Sequence, residues 1–204
     1  MKNVIIIGTG GHAKVVTNIV ALCADNLVGF LTSDTHMTSF LGKPVLGADT
    51  DYAHFSDCEF IVAIGNQYAR EKIVTRMPDV AWYTAIHPSV IIPYEHCSIG
   101  EGTVISANAV INPYASIGAH CIINTQCVVE HDNTIGDFAH VSVGAMLAGN
   151  VHVGRRSWIG VGACVRNDIC ISDDCFVGAG VVVVKDLCEK GTYIGVPAQK
   201  LHKD

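Results

Sequence analysis

Written in sixes, residues 99–183 read IGEGTV ISANAV INPYAS IGAHCI INTQCV VEHDNT IGDFAH VSVGAM LAGNVH VGRRSW IGVGAC VRNDIC ISDDCF VGAGVV V, without one insertion. An aliphatic residue opens every group: Ile99, Ile105, Ile111, Ile117, Ile123, Val129, Ile135, Val141, Leu147, Val153, Ile159, Val165, Ile171, Val177 and Val183. Four places further on stands a mostly small residue, as at Thr103, Ala109, Ala115, Cys121, Cys127, Ala139, Ala163 and Cys175. A helix repeats at 3.6 residues and a half-buried strand at 2, so neither produces a period of six. A β-helix does, because short strands form the sides of a prism and each coil stacks on the one before. Gly100, Gly118, Gly136, Gly154, Gly160 and Gly178 follow the aliphatic anchor and are expected at tight corners, where a Cβ would clash.

Residues 1–85 follow another grammar. Val4–Ile7 reads as a buried strand, Gly8-Thr9-Gly10-Gly11-His12 as a glycine-rich turn, and Ala13–Cys23 as a helix with Val15, Val16, Ile19, Val20 and Cys23 at helical spacing. Further strands are expected over Leu27–Leu31, Phe60–Ile64 and Ala81–Ala85, and a second helix over Gln67–Arg76. Strand, turn and helix in alternation predict a small parallel α/β unit. The boundary falls near Ile86-His87-Pro88, giving a domain over 1–85, a β-helix over 86–188 and a short irregular tail over 189–204.

Composition narrows the function classes. The 204 residues carry a net charge of −6 and no Lys/Arg run, which argues against nucleic acid and anionic membrane as partners. Val104–Val129 holds no charged residue, yet Asn108, Asn112, His120, Asn124 and Gln126 interrupt it too often for a transmembrane helix. The nine cysteines include no Cys-x-x-Cys pair, and Met1-Lys2 leads straight into a strand rather than a signal peptide. Cys121, Cys127 and Cys175 fill inward slots of the repeat and read as reduced core thiols of a cytoplasmic protein.

Two places suggest chemistry. Gly8-Thr9-Gly10-Gly11-His12-Ala13 matches G-x-G-x-x-G/A between a strand and a helix, where backbone N–H groups can cradle phosphate; Asp34 stands near the end of the next strand. A unit of about four strands is short of the six of a full dinucleotide fold, so a mononucleotide portion such as that of a sugar nucleotide fits better. The alternative is a tight turn that needs its glycines for packing. Glu130-His131-Asp132 offers an imidazole beside carboxylates, the makings of a general base. Neighbours on a strand point to opposite faces, so Asp132 can orient His131 only at a corner or through another chain. The alternative there is a solvated polar corner. None of the histidines from His87 to His152 lies eighteen or thirty-six residues from another, which argues against a metal site built from stacked coils.

The repeat resembles that of the hexapeptide-repeat acyltransferases, which implies a left-handed parallel β-helix with three hexads per coil; the usual crossover rule favours the opposite hand. The whole chain is similar to the bacterial sugar acetyltransferases of the NeuD/PglD type, the sialic acid O-acetyltransferase and UDP-4-amino-sugar N-acetyltransferase group. The resemblance rests on the Gly8–Ala13 loop, Ala63-Ile64-Gly65-Asn66, Ile123-Asn124-Thr125, the run from Val129-Glu130-His131-Asp132 to Ala145, Ala148–Val151, and Gly195-Val196-Pro197-Ala198. It implies His131 as general base, polarised by Asp132 where relatives often carry Glu. It implies His140, Val161 and Ala179 as acetyl-CoA contacts, and Gly10, Gly11, His12, Ser33, Asp34 and Gly65 as contacts to a nucleotide-linked sugar. It also implies a homotrimer with sites between adjacent β-helices and no metal. The expected reaction is N-acetylation of a nucleotide-linked amino sugar by direct transfer from acetyl-CoA. Sugar O-acetylation and a non-catalytic sugar-nucleotide-binding trimer are the alternatives.

Overall fold

The computed structural model describes residues 1–34, 36–93 and 96–201. Strand β1 (Asn3–Ile7) is apolar on both sides and sits inside a mostly parallel sheet. Its order is β3 (Ser39–Phe40), β4 (Lys43–Gly47), β2 (Asn26–Leu31), β1, β5 (Glu59–Val62), β6 (Ala81–Trp82). The pleat sends Ile5 and Ile7 to one core with Phe60, Val62 and Met77. Val4 and Ile6 go to the other core, with Ala13, Val16, Ile19 and Val20 of helix α1 (Gly11–Leu22). Helix α2 (Gln67–Thr75) is capped by Asn66, whose side chain accepts from the Ala69 N–H at 2.9 Å. Apart from the strand expected over Ala81–Ala85, the expected strands and helices are present with ends shifted by up to two residues. The β3–β4 hairpin was not expected. It turns through Leu41 and Gly42, both at positive φ, and β4 then joins β2 in parallel.

The strand expected over Ala81–Ala85 is in fact divided between two sheets. Ala81 and Trp82 pair with β5, whereas strand β7 (Ala85–Ile86) pairs with Val104–Ile105 of the β-helix. The two units share this junction and an apolar seam in which Ala85 and Val104 pack among the α1 residues.

From there the chain winds as a parallel three-sided prism. The first face stacks residues 104–105, 122–123, 140–141 and 158–159. The second stacks 110–111, 128–129, 146–147, 164–165 and 182–183. The third stacks 98–99, 116–117, 134–135, 152–153 and 170–171. Partners such as Ile117 and Ile135 are one coil of three hexads apart. Both inward columns are buried, Ile105, Ile123 and Val141 at 0% exposure beside Cys121, Cys127 and Ala139. Of the polar members of the small column, Thr103 and Ser157 are paired, whereas Asn133 Nδ2 has no hydrogen-bond partner among the described residues. Thr103 Oγ1 donates to Gly118 O and accepts from the Cys121 N–H, and three coils further on Ser157 does the same with Ser172 O and the Cys175 N–H.

The corners correct the expectation for the glycines. The left-handed residue falls three places after the anchor, at Asn108, Tyr114, His120, Gln126, Asp132, Phe138, Asn150, Arg156, Asp168 and Asp174, with φ between 53 and 65°. Such a conformation costs a non-glycine residue roughly 1–2 kcal/mol, borne here by the stacking of the coils. The glycines after the anchors serve close approach instead: a Cβ on Gly100 would stand 2.4 Å from Ala119 N of the next coil. The tail is not irregular either. Gly191–Ile194 adds to Cys175–Val177 in parallel and Gln199–Lys200 closes it antiparallel, both extending the first face. Residues 202–204 of the expected tail lie outside the described residues. Among the described residues, no helix is long and apolar enough to cross a membrane.

Candidate active site

Glu130, His131 and Asp132 occupy the corner between the second and third faces. Asp132 holds the left-handed position (φ 61°), which folds its side chain back beside the preceding residue. His131 Nδ1 and Asp132 Oδ2 are 2.7 Å apart, with both side chains more than half exposed. The Asp132 hydrogen bond, followed by the charges of Asp132, Glu130 and Asp168, holds the imidazole above the usual histidine range. Glu130 touches a different part of the residue: its Oε2 accepts from the His131 backbone N–H at 3.3 Å. With Nδ1 engaged by Asp132, Nε2 is the nitrogen left for chemistry.

The glycine loop opens at the C-terminal end of β1. Gly8 (φ 113°) makes the turn, close against Ala63 and Ile64. Gly10 caps α1 without a side-chain hydrogen bond, so the first helical N–H groups face outward. A Cβ on Gly10, Gly11 or Gly65 would meet nothing within 4 Å. Thr9 Oγ1 contacts Thr32 Oγ1 at 3.2 Å and ties the loop to the end of β2, beside exposed Ser33 and Asp34. Asp34 accepts from the His36 N–H at 3.1 Å and borders a pocket of about 390 Å³ with Met37, Thr38, Val45 and Asp51.

His12, at the end of that loop, lies close enough to His140, on the first face, to help lower the pKa of the His140 ring. His140 is buried at 5% exposure. Its Nε2 accepts from the Asn124 side-chain amide at 3.1 Å, and Trp158 packs on its ring with centroids 4.0 Å apart. Burial first, and then the charge of Arg70, holds His12 down to about 4 and His140 down to about 3, so both rings are neutral near pH 7. Neither His12 Nε2 nor His140 Nδ1 has a hydrogen-bond partner among the described residues.

Arg70 is the residue that the sequence concealed. It is 1% exposed, and its guanidinium donates to four carbonyls: His120 O (2.8 Å), Phe138 O (2.7 Å), Ile64 O (2.8 Å) and Gly65 O (3.0 Å). It therefore holds the Ile64–Gly65 loop against two coils of the prism. Next to it on α2, Glu71 pairs with Arg155 and Arg156, and Tyr68 Oη donates to Asp174 Oδ1 at 3.0 Å.

Val161 and Ala179 are exposed and stack one coil apart on the corner between the first and second faces, in line with Val143. Gly144, Gly162 and Gly180 beside them are open, with room for a Cβ. The fold thus gathers the expected residues into two groups. The glycine loop, His12 and His140 meet on or beside the first face, with Val161 and Ala179 on its edge. His131 and Asp132 stand on the corner opposite that face. Among the described residues, no group of three or more His, Cys, Asp or Glu side chains is arranged to hold a metal ion.

A β-helix of hexads behind a small α/β unit with a bare glycine loop is the organisation of a two-domain acyltransferase. Residues 3–77 match the PglD N-terminal domain family. UDP-N-acetylbacillosamine N-acetyltransferase of Bacillus subtilis is 38% identical over 114 residues, a stretch spanning 52% of this chain and 52%, about half, of that relative. The acetyltransferase domain of PglB from Neisseria gonorrhoeae, solved in complex with acetyl coenzyme A, is 32% identical with a TM-score of 0.91, covering 98% of this chain and 99% of that one. PerB from Caulobacter crescentus, solved in complex with CoA and GDP-perosamine, is 37% identical with a TM-score of 0.93, covering 99% of this chain and 98% of that one. The chain belongs to the PglD-type sugar acetyltransferases.

Proposed function

We propose that this chain transfers the acetyl group of acetyl-CoA to the amine of a nucleotide-linked amino sugar, a UDP-linked 4-amino-4,6-dideoxy sugar, for glycan biosynthesis. The observation that carries the reading is the His131–Asp132 pair, with Nδ1 held and Nε2 open on an exposed corner. As the amine nitrogen bonds to the thioester carbonyl carbon, His131 Nε2 accepts its proton. Asp132 keeps the other proton on Nδ1 and favours the imidazolium that forms. A backbone N–H stabilises the tetrahedral oxyanion. The C–S bond then breaks, and the CoA thiolate takes the proton from His131. No acyl-enzyme is involved: Cys121 and Cys127 are wholly buried in the prism, and burial pushes both thiols up to about 12.

The acceptor's diphosphate is assigned to the α1 N-terminus at Gly10, Gly11 and His12, with Gly65 alongside and Ser33 and Asp34 toward the nucleoside. Acetyl-CoA is assigned to His140, Val161 and Ala179. Because His131 and His140 lie on opposite sides of one prism, the reading requires a second copy. A homotrimer sets the His131 corner of one subunit against the first-face edge of its neighbour and covers the exposed Val143, Met146 and Val161.

The test is CoA thiol release from acetyl-CoA with UDP-, GDP- and dTDP-linked amino sugars. The UDP-linked 4-amino sugar should give an N-acetyl product. His131→Ala should lower kcat about 10²–10⁴-fold without altering folding. A preference for GDP or dTDP would overturn the choice of nucleotide, and acetylation of a free sugar hydroxyl would overturn the acceptor. A His131→Ala enzyme of near-normal kcat would overturn the base.

A further inference from the structure

Gly149 lies eighteen residues after His131, one coil along the same corner. The Cε1–Nε2 edge of the imidazole rests against it, so closely that a Cβ on Gly149 would stand 2.5 Å from Cε1, 2.6 Å from Nε2 and 3.2 Å from Nδ1. The φ of Gly149 is not in the left-handed region, so its backbone is one an alanine adopts without strain. The three atoms that a Cβ at position 149 would meet first all belong to that ring. The neighbouring residue supports the same arrangement: the Asn150 backbone N–H donates to His131 O at 2.9 Å, and the Asn150 side-chain amide donates to Asp168 Oδ1, also at 2.9 Å.

From this geometry we infer that Gly149 is a positioning residue for the transfer reaction: its missing side chain forms the seat that holds His131 with Nδ1 on Asp132 and Nε2 toward the substrate. The inference rests on the reading of His131 as the base. Non-bonded carbons approach to about 3.5–4.0 Å, so a methyl group at position 149 displaces the ring by about 1 Å. Because His131 is exposed, the ring moves away at little cost to the fold, and its 2.7 Å contact to Asp132 stretches or breaks. A displacement of about 1 Å at a reacting group can cost on the order of 10²-fold in rate. The groups facing the imidazole are Asp132 and Glu130 on its own corner and Asp168 from a later coil. Of these, Asp132 alone hydrogen-bonds the ring, so displacement lowers the His131 pKa toward the ordinary value.

Gly149→Ala tests this in the full-length enzyme. Thermal unfolding and oligomeric state should match wild type. The kcat should fall about 10–10²-fold with both KM values within twofold. The His131 pKa, read from imidazole proton shifts by NMR in the absence of either substrate, should drop. The ligand-free measurement separates the seat from any contact that position 149 makes with bound acetyl-CoA. Normal kcat and an unmoved His131 pKa would overturn the inference, as would a lost kcat with an unmoved pKa. His131→Ala is assayed beside it. If that variant is active the reading of the base fails, whereas an inactive His131→Ala with a wild-type Gly149→Ala enzyme sinks the seat alone.

Discussion

A carboxylate one residue away serves an imidazole only where the chain doubles back, and Asp132 does so by taking the left-handed corner position of its hexad. Replacing Asp132 with Asn keeps the shape and removes the charge. Since the hydrogen bond to Asp132 raises the His131 pKa, its loss lowers it, and the acid-side midpoint of kcat against pH should move to lower pH while the plateau falls. Glu130→Gln should shift the midpoint in the same direction but much less, because Glu130 hydrogen-bonds the backbone of His131 and reaches the ring only through its charge. If Glu130→Gln is the slow enzyme and Asp132→Asn is silent, the supporting carboxylate has been misassigned. At the other end of the site, a side chain at Gly11 meets open space, so Gly11→Val should fold normally and raise the KM for the sugar nucleotide, leaving that for acetyl-CoA unchanged. Weakened acetyl-CoA binding instead would separate the loop from the acceptor. The His-Asp adjacency could be read from the sequence, with its dependence on a corner. The contact of His131 with Gly149 could not, because it requires the two residues to stack on one corner.

Among the elements, α2 does the most that no pattern announced. The sequence marks Gln67–Arg76 only as a second helix. It lies along the corner between the third and first faces, with Arg70 inserted beneath it and Glu71 meeting two arginines. The partners of Arg70 are main-chain carbonyls up to 68 residues away, and a carbonyl has no sequence signature. Arg70→Met should leave four carbonyls without their donor and destabilise the protein by about 3–5 kcal/mol, the range seen when one side of a buried charged contact is removed. Chemical denaturation checks this, and a loss below about 1 kcal/mol would mean that water replaces the guanidinium. The β3–β4 hairpin went unread for a different reason: its strands are two and five residues long and half exposed, so they carry little hydrophobic pattern.

For the whole molecule, the prism was legible because its period is long and unbroken, and the α/β unit because its buried strands are continuous apolar runs. How the units dock was not legible, since Val104 and Ala85 become part of the α1 core only once the first face is formed. The opposed placement of His131 and His140 gives a test at this scale. Mixed in denaturant and refolded together, inactive His131→Ala and His140→Ala chains should recover activity, because some sites then take an intact His131 from one chain and an intact His140 from another. Mixtures as inactive as their components would return the site to a single chain.

The eighteen-residue register also dictates which changes of length the chain can survive. Each coil sets the next at about 4.8 Å, and every outward residue owes its side of the prism to its count from the start. Deleting one residue between His131 and His140 would act as a frameshift in space. Every later anchor would point outward, and His140, Val161 and Ala179 would leave the positions they hold relative to His131. A duplication of one whole coil beyond Ala179 would leave all of them in place. In such a molecule, length varies only in whole coils.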